Sequence, residues 1–133
     1  MFRTHHTPST SGEDTQASQT MSMAQHSTQR GVVKQAQKIV HEYGFKAIKL
    51  KGGVFPPTQE VEAIKALHAA FPGAPLRLDP NAAWTVETSK SVAKELDGIV
   101  KYLEDPAPEI EGMAAVANEA SMPWLRTWPW LPF

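Results

Sequence analysis

The sequence predicts a parallel α/β fold over its central part, on three observations. Short apolar runs alternate with longer stretches of helical periodicity, and Gly or Pro separates one from the next. A charged residue recurs where each short run stops: Lys51, Asp79 and Glu104. Asp79 follows Lys51 by 28 residues and Glu104 follows Asp79 by 25, close to the roughly 30 residues of one strand–helix unit. Strands joined at that distance by helices run parallel.

In chain order, Val32, Val33, Ala36, Ile39 and Val40 recur at helical spacing, and Gly44 after Tyr43 is a natural C-terminal stop. Phe45 to Lys51 reads as a strand ended by Gly52-Gly53. Pro56-Pro57 opens a second helix with Val61, Ile64, Leu67 and Ala70 on its apolar face, and Pro72-Gly73 closes it. Leu76 to Leu78 is the next strand, ending at Asp79-Pro80-Asn81. Thr85 is the expected N-cap of a third helix with a Val92, Ala93, Leu96 stripe, stopped at Asp97-Gly98. Ile99 to Leu103 is the third strand, followed by a weaker helix from Ile110 to Ala120.

The two ends differ from this centre. Residues 1–30 are rich in Ser, Thr, Gln and His, cannot bury enough surface to offset their ordering entropy, and are predicted to form a disordered leader. Its His5, His6 and His26 are read as solvated rather than metal-binding, since nothing fixes their geometry. Residues 31–122 form the expected domain. Residues 123–133 hold three of the four tryptophans and three prolines, and fit neither strand nor helix, because proline removes backbone donors.

Composition excludes several function classes. With 13 basic against 14 acidic residues the formal net charge is −1, which lacks the basic excess that a nucleic-acid partner selects for. The absence of cysteine removes disulfides and thiolate metal sites, and no apolar run reaches the roughly 20 residues of a membrane span. No membrane or nucleic-acid partner is expected, and the expected setting is cytoplasmic.

The candidate chemistry sits at the strand ends, where α/β enzymes build their sites. Lys49 and Lys51, two apart on one strand, point to the same face. Two ammonium groups so placed disfavour each other's charge, which lowers the pKa towards that of a general base; the alternative is a pair of ordinary polar strand-end residues. Asp79 and Glu104 end the next two strands and can converge on one hard cation such as magnesium, which prefers oxygen ligands; Asp79 before Pro80 also suits plain turn chemistry. A phosphate-binding use of Gly52-Gly53 is disfavoured, because Lys51 precedes the glycines instead of following them.

Taken together, Lys49-Leu50-Lys51-Gly52-Gly53-Val54, Leu78-Asp79-Pro80-Asn81 and Leu103-Glu104-Asp105-Pro106 resemble, in order and spacing, the mandelate-racemase-like branch of the enolase superfamily, and most of all its glucarate dehydratases. The resemblance runs from about Gly31 to Pro123. It implies a partial (β/α) TIM-type barrel of about three parallel strands with flanking helices. It also implies an acid-sugar dehydratase, a carbon–oxygen lyase, acting on a sugar diacid with Mg2+ as cofactor, with a sister reaction of the superfamily, racemisation or dehydration of another sugar acid, as the near alternative. By the resemblance, Lys51 is the base that removes the proton α to the substrate carboxylate, and Lys49 steadies that carboxylate. Asp79 and Glu104 are two of three protein ligands of magnesium, and Asn81 touches the substrate. Full-length relatives are expected to be homo-oligomeric.

The family's third metal ligand, its later His–Asp pair and its capping domain are expected to be missing here. The isolated chain is accordingly expected to be inactive, or a non-catalytic relic of a disrupted gene. The tail supports that expectation. A codon string for Val-Ala-Ala-Asn-Met-Ala-Val-Val-Thr-Phe, read one base out of frame, encodes residues 124–133. The in-frame version reads as the family's next strand with an Asn ligand. Codons in the gene that cannot yield Asn-Met in the neighbouring frame would remove this explanation.

Overall fold

The computed structural model describes residues 18–22, 28–120 and 124–125, the first and last of these as backbone. Nine elements follow in order: β1 (Ser18–Ser22), α1 (Gln29–Tyr43), β2 (Ala47–Lys51), α2 (Pro57–Ala70), β3 (Leu76–Asp79), α3 (Val86–Glu95), β4 (Tyr102–Glu104), α4 (Ile110–Glu119) and β5 (Trp124–Leu125). The strands form one sheet in sequence order, every pair parallel. The α/β architecture and the three predicted strands are present, as β2, β3 and β4.

Local chemistry accounts for most boundaries. The Thr28 side chain accepts the Gly31 N–H at 3.1 Å and starts α1. Gly44 ends it in the left-handed region, at φ 69°, its N–H returning to the Val40 carbonyl. Pro56 and Pro57 open α2, and Thr85 caps α3 by accepting the Thr88 N–H at 3.1 Å. Such caps contribute about 1 kcal/mol each.

Alternation along the strands then sorts the side chains. Ile48, Leu50, Leu76, Leu78 and Leu103 point to one face and join α1, α2, α3 and α4 in a single core with Val32, Ile64, Leu67, Val92 and Val116. Each fully buried Leu or Ile there contributes about 2 kcal/mol by removing apolar area from water. The opposite face carries Lys49 and Lys51, Arg77 and Asp79, Tyr102 and Glu104. The helices thus bury one side of the sheet, and the polar residues collect on the other.

Three expectations need correction. Ser18–Ser22 lies in the leader expected to be disordered, yet pairs in parallel with Ala47–Lys51. Backbone groups at an open edge pair without regard to side-chain hydrophobicity, so the polar composition was a poor guide; residues 1–17 and 23–27, with His5, His6 and His26, lie outside the described residues. Trp124–Leu125 forms a two-residue strand beside Leu103–Glu104, because the tail prolines at 123, 129 and 132 leave both backbone donors intact; residues 126–133 lie outside the described residues. The third central strand starts at Tyr102 instead of Ile99. The N–H groups of Ile99 and Val100 bond to the Leu96 carbonyl, which keeps both in the turn after α3.

Candidate functional site

The register sets the site. Lys51 stands directly opposite Asp79, and Lys49 opposite Arg77, with Tyr102 beyond it. Two layers result. Towards the N-terminal ends of the strands the Arg77 guanidinium lies over the Tyr102 ring, 5.1 Å from its centre. Towards the C-terminal ends four charged side chains converge.

Lys49 Nζ lies 3.0 Å from Glu104 Oε2 and 3.6 Å from Asp79 Oδ2, and Lys51 Nζ lies 3.2 Å from the same Asp79 oxygen. Both carboxylates are buried, whereas the Lys51 side chain is 42% exposed and the Lys49 side chain 21%. The amine facing solvent is therefore that of Lys51. Asp79 is oriented from its other side too, its Oδ1 accepting the Asn81 N–H at 3.0 Å. Asn81 is exposed and stands at φ 56° in the turn whose backbone holds that carboxylate. All five residues singled out in the sequence are brought to one rim.

The electrostatics differ from expectation at Lys49. Burial alone lowers the pKa of its ammonium, but the hydrogen bond and charge of Glu104, with the charge of Asp79 added, hold it above the ordinary lysine value. The adjacent carboxylates outweigh burial, so Lys49 is shifted up where the sequence predicted a downward push. Lys49 acts here as a fixed positive charge.

Two carboxylates that touch one ammonium lie within reach of one common cation. Their oxygens are the hard donors magnesium takes, and magnesium commonly uses one or two carboxylates and completes its shell with water or substrate oxygens. The donor set of Asp79 and Glu104 fits that ion. Among the described residues no group of three or more His, Cys, Asp or Glu side chains is placed to hold a metal.

Supports for the loops went unread in the sequence. The Ser89 hydroxyl of α3 sits between the carbonyl oxygens of Thr85, at 2.8 Å, and Pro106, at 2.6 Å, tying α3 to the loop after Glu104. The Ala82 N–H donates to the Asp105 carbonyl at 2.8 Å, tying the loop after Asp79 to the same loop. Ser89 is fully buried on the face that carries Val92 and Ala93. A hydroxyl within an apolar stripe was the available signal.

Residues 31–124 match the enolase C-terminal domain-like family. The chain belongs to that family. A Streptomyces coelicolor protein described as a probable glucarate dehydratase is 58% identical over 93 residues, covering 70% of this chain and 22% of that protein. An enolase from Gibberella zeae PH-1, solved with magnesium, formate and sulfate, shares 80% identity at a TM-score of 0.74. That match covers 75% of this chain and 23% of the other. An enolase from Mycobacterium smegmatis complexed with tartrate shares 57% identity at the same TM-score, covering 75% of this chain and 24% of the other. The chain therefore spans about a quarter of the length of these relatives, and its three central strands, β2 to β4, correspond to part of a barrel. No helix among the described residues is long and apolar enough to cross a membrane.

Proposed function

We propose that this chain carries the proton-abstracting part of a magnesium-dependent acid-sugar dehydratase acting on a glucarate-like diacid. The observation that supports it most is the meeting of Lys49, Lys51, Asp79 and Glu104 within 3.0–3.6 Å at the ends of three neighbouring parallel strands. Lys51, the more exposed amine, takes the proton from the carbon next to the substrate carboxylate. Lys49, held charged by Glu104 and Asp79, lies where negative charge develops on the carboxylate oxygens and stabilises it there. Asp79 and Glu104 hold magnesium, which when bound lowers the energy of that developing charge as a Lewis acid. Asn81, exposed beside Asp79, contacts the substrate's hydroxyl or carboxylate oxygens. Loss of the β-hydroxyl as water completes a dehydration.

That second step needs an acid for the departing hydroxyl. The two histidines among the described residues, His41 and His68, lie in the last turns of α1 and α2. A helix that follows a strand ends at the sheet's other rim, so neither histidine faces the lysines. The described residues supply the first step only.

Manganese titration of the metal-free chain, followed by electron paramagnetic resonance of the free ion, tests the reading before any chemistry is required. Binding that weakens at least about tenfold in both Asp79→Asn and Glu104→Gln, as loss of one ligand oxygen predicts, supports it. Binding that is absent, or unchanged in both variants, overturns it and leaves a non-catalytic chain.

A further inference from the structure

We propose that Glu60 is a positioning residue for Lys51: its carboxylate clamps the turn after the lysine and so fixes where the amine stands. The inference deepens the reading of Lys51 as the base, and its catalytic meaning rests on that reading.

Glu60 belongs to the first turn of α2 but is fully buried. A Glu near a helix N-terminus ordinarily reaches back to the N–H of the cap residue. Here the cap is Pro56 and the next residue is Pro57, and neither has an N–H to offer. The carboxylate therefore reaches further back, and its Oε1 accepts from the N–H groups of Val54 at 3.0 Å and Phe55 at 3.1 Å. The other oxygen, Oε2, is buried without a hydrogen-bond partner. It occupies the space a side chain at position 52 would need, since a Cβ on Gly52 would come within 2.5 Å of it.

The same turn is held from the sheet side. The Gly52 N–H donates to the Asp79 carbonyl at 2.8 Å. Three amides of the Gly52–Phe55 turn are thus fixed between β3 and α2, directly after the residue that carries the amine. A buried carboxylate oxygen with no donor is costly, so stability alone does not account for a Glu in this place. Holding Lys51 in register does, because a misplacement of about 1 Å can slow a reaction about a hundredfold.

The test uses the full metal-free chain without substrate, so its outcome does not depend on whether dehydration occurs. Trace acetylation across a pH series, resolved residue by residue by mass spectrometry, gives the reactivity of Lys51 relative to Lys34 and Lys38 on the outer face of α1. Glu60→Ala is expected to change that ratio at least about fivefold, the effect of losing one or two buried hydrogen bonds. Glu60→Gln keeps a carbonyl oxygen for the same two N–H groups and is expected to stay within about twofold of wild type. Gly52→Ala, whose Cβ displaces the carboxylate, is expected to reproduce the Glu60→Ala ratio. An unchanged Lys51 ratio in Glu60→Ala or Gly52→Ala, or equal shifts at all three lysines, overturns the proposal. Hydrogen exchange of the wild-type chain decides the matter should the variants fail to fold. Protected Val54 and Phe55 amides are expected, and exchange at unstructured rates overturns the clamp.

Discussion

Replacing Gly53 by alanine probes the contact between the loop that follows Lys51 and the loop that follows Asp79. Gly53 stands at φ 82°, and a Cβ there would clash with the Pro80 carbonyl oxygen and lie 3.0 Å from the Ala83 Cβ. The left-handed backbone alone costs alanine about 1–2 kcal/mol. The contact with Pro80 is to backbone, so it can be relieved only by moving a loop, at a further cost of about 1–3 kcal/mol by analogy with overpacked sites. Gly44 provides the control: it has a similar φ of 69° and nothing within 4 Å of its missing Cβ. Gly44→Ala therefore incurs the backbone part alone, offset in part by the entropy alanine removes from the unfolded chain, for a net of about 1 kcal/mol. Urea unfolding followed by circular dichroism separates the two. With a slope of about 1–2 kcal/mol per M, the Gly53→Ala midpoint should fall about 0.5–3 M below that of Gly44→Ala. Equal midpoints would show that the two loops do not lean on each other.

Leu78→Ala, at a fully buried position under the site, should destabilise the chain by about 2–5 kcal/mol in the same assay. The hydrogen bond and charge of Lys90, with Lys94 adding to them, hold the Glu119 carboxyl below the usual carboxylate range, and Glu119 in turn raises Lys90. The stability this pair adds should be present near neutral pH. It should fade as pH falls through the depressed Glu119 value, and on the basic side as pH rises through the raised Lys90 value. Lys90→Met should flatten both limbs of the urea-midpoint profile, and a variant with wild-type pH dependence would contradict the pairing. Glu104→Gln removes the strongest influence that raises Lys49 and leaves burial to act against fewer opposing charges. Lys49 should then acetylate at lower pH than in wild type, and an unchanged profile would show that Asp79 alone sets its charge.

The strand ends were legible because charge punctuates apolar runs there: Lys51, Asp79 and Glu104 are the last residues of β2, β3 and β4. Gly44, Pro56-Pro57 and Thr85 were legible because each acts through local backbone geometry that sequence encodes directly. What escaped depends on which partner a group meets, near or far, and residue spacing alone does not give that. Ser18–Ser22 has no apolar alternation and pairs through its backbone with an edge it meets only after folding. Ile99 and Val100 are apolar enough for a strand, but the end of α3 takes up their N–H groups. Lys49 and Lys51 could be placed on one face from their spacing. The direction of the Lys49 shift needed the positions of two carboxylates from other strands. Glu60 and Ser89 were hidden in helix stripes, where polar residues are ordinarily solvated.

The proposed role of Lys51, with a divalent ion held at Asp79 and Glu104, is to abstract a proton next to a carboxylate. Incubating the chain with magnesium and glucarate in deuterated water, and following deuterium at the carbon beside the carboxylate by NMR and mass spectrometry, tests it without requiring the later dehydration step. Metal-dependent incorporation is expected in the wild-type chain, with none above background in Lys51→Ala. No incorporation in wild type, or equal incorporation in the two, would contradict it.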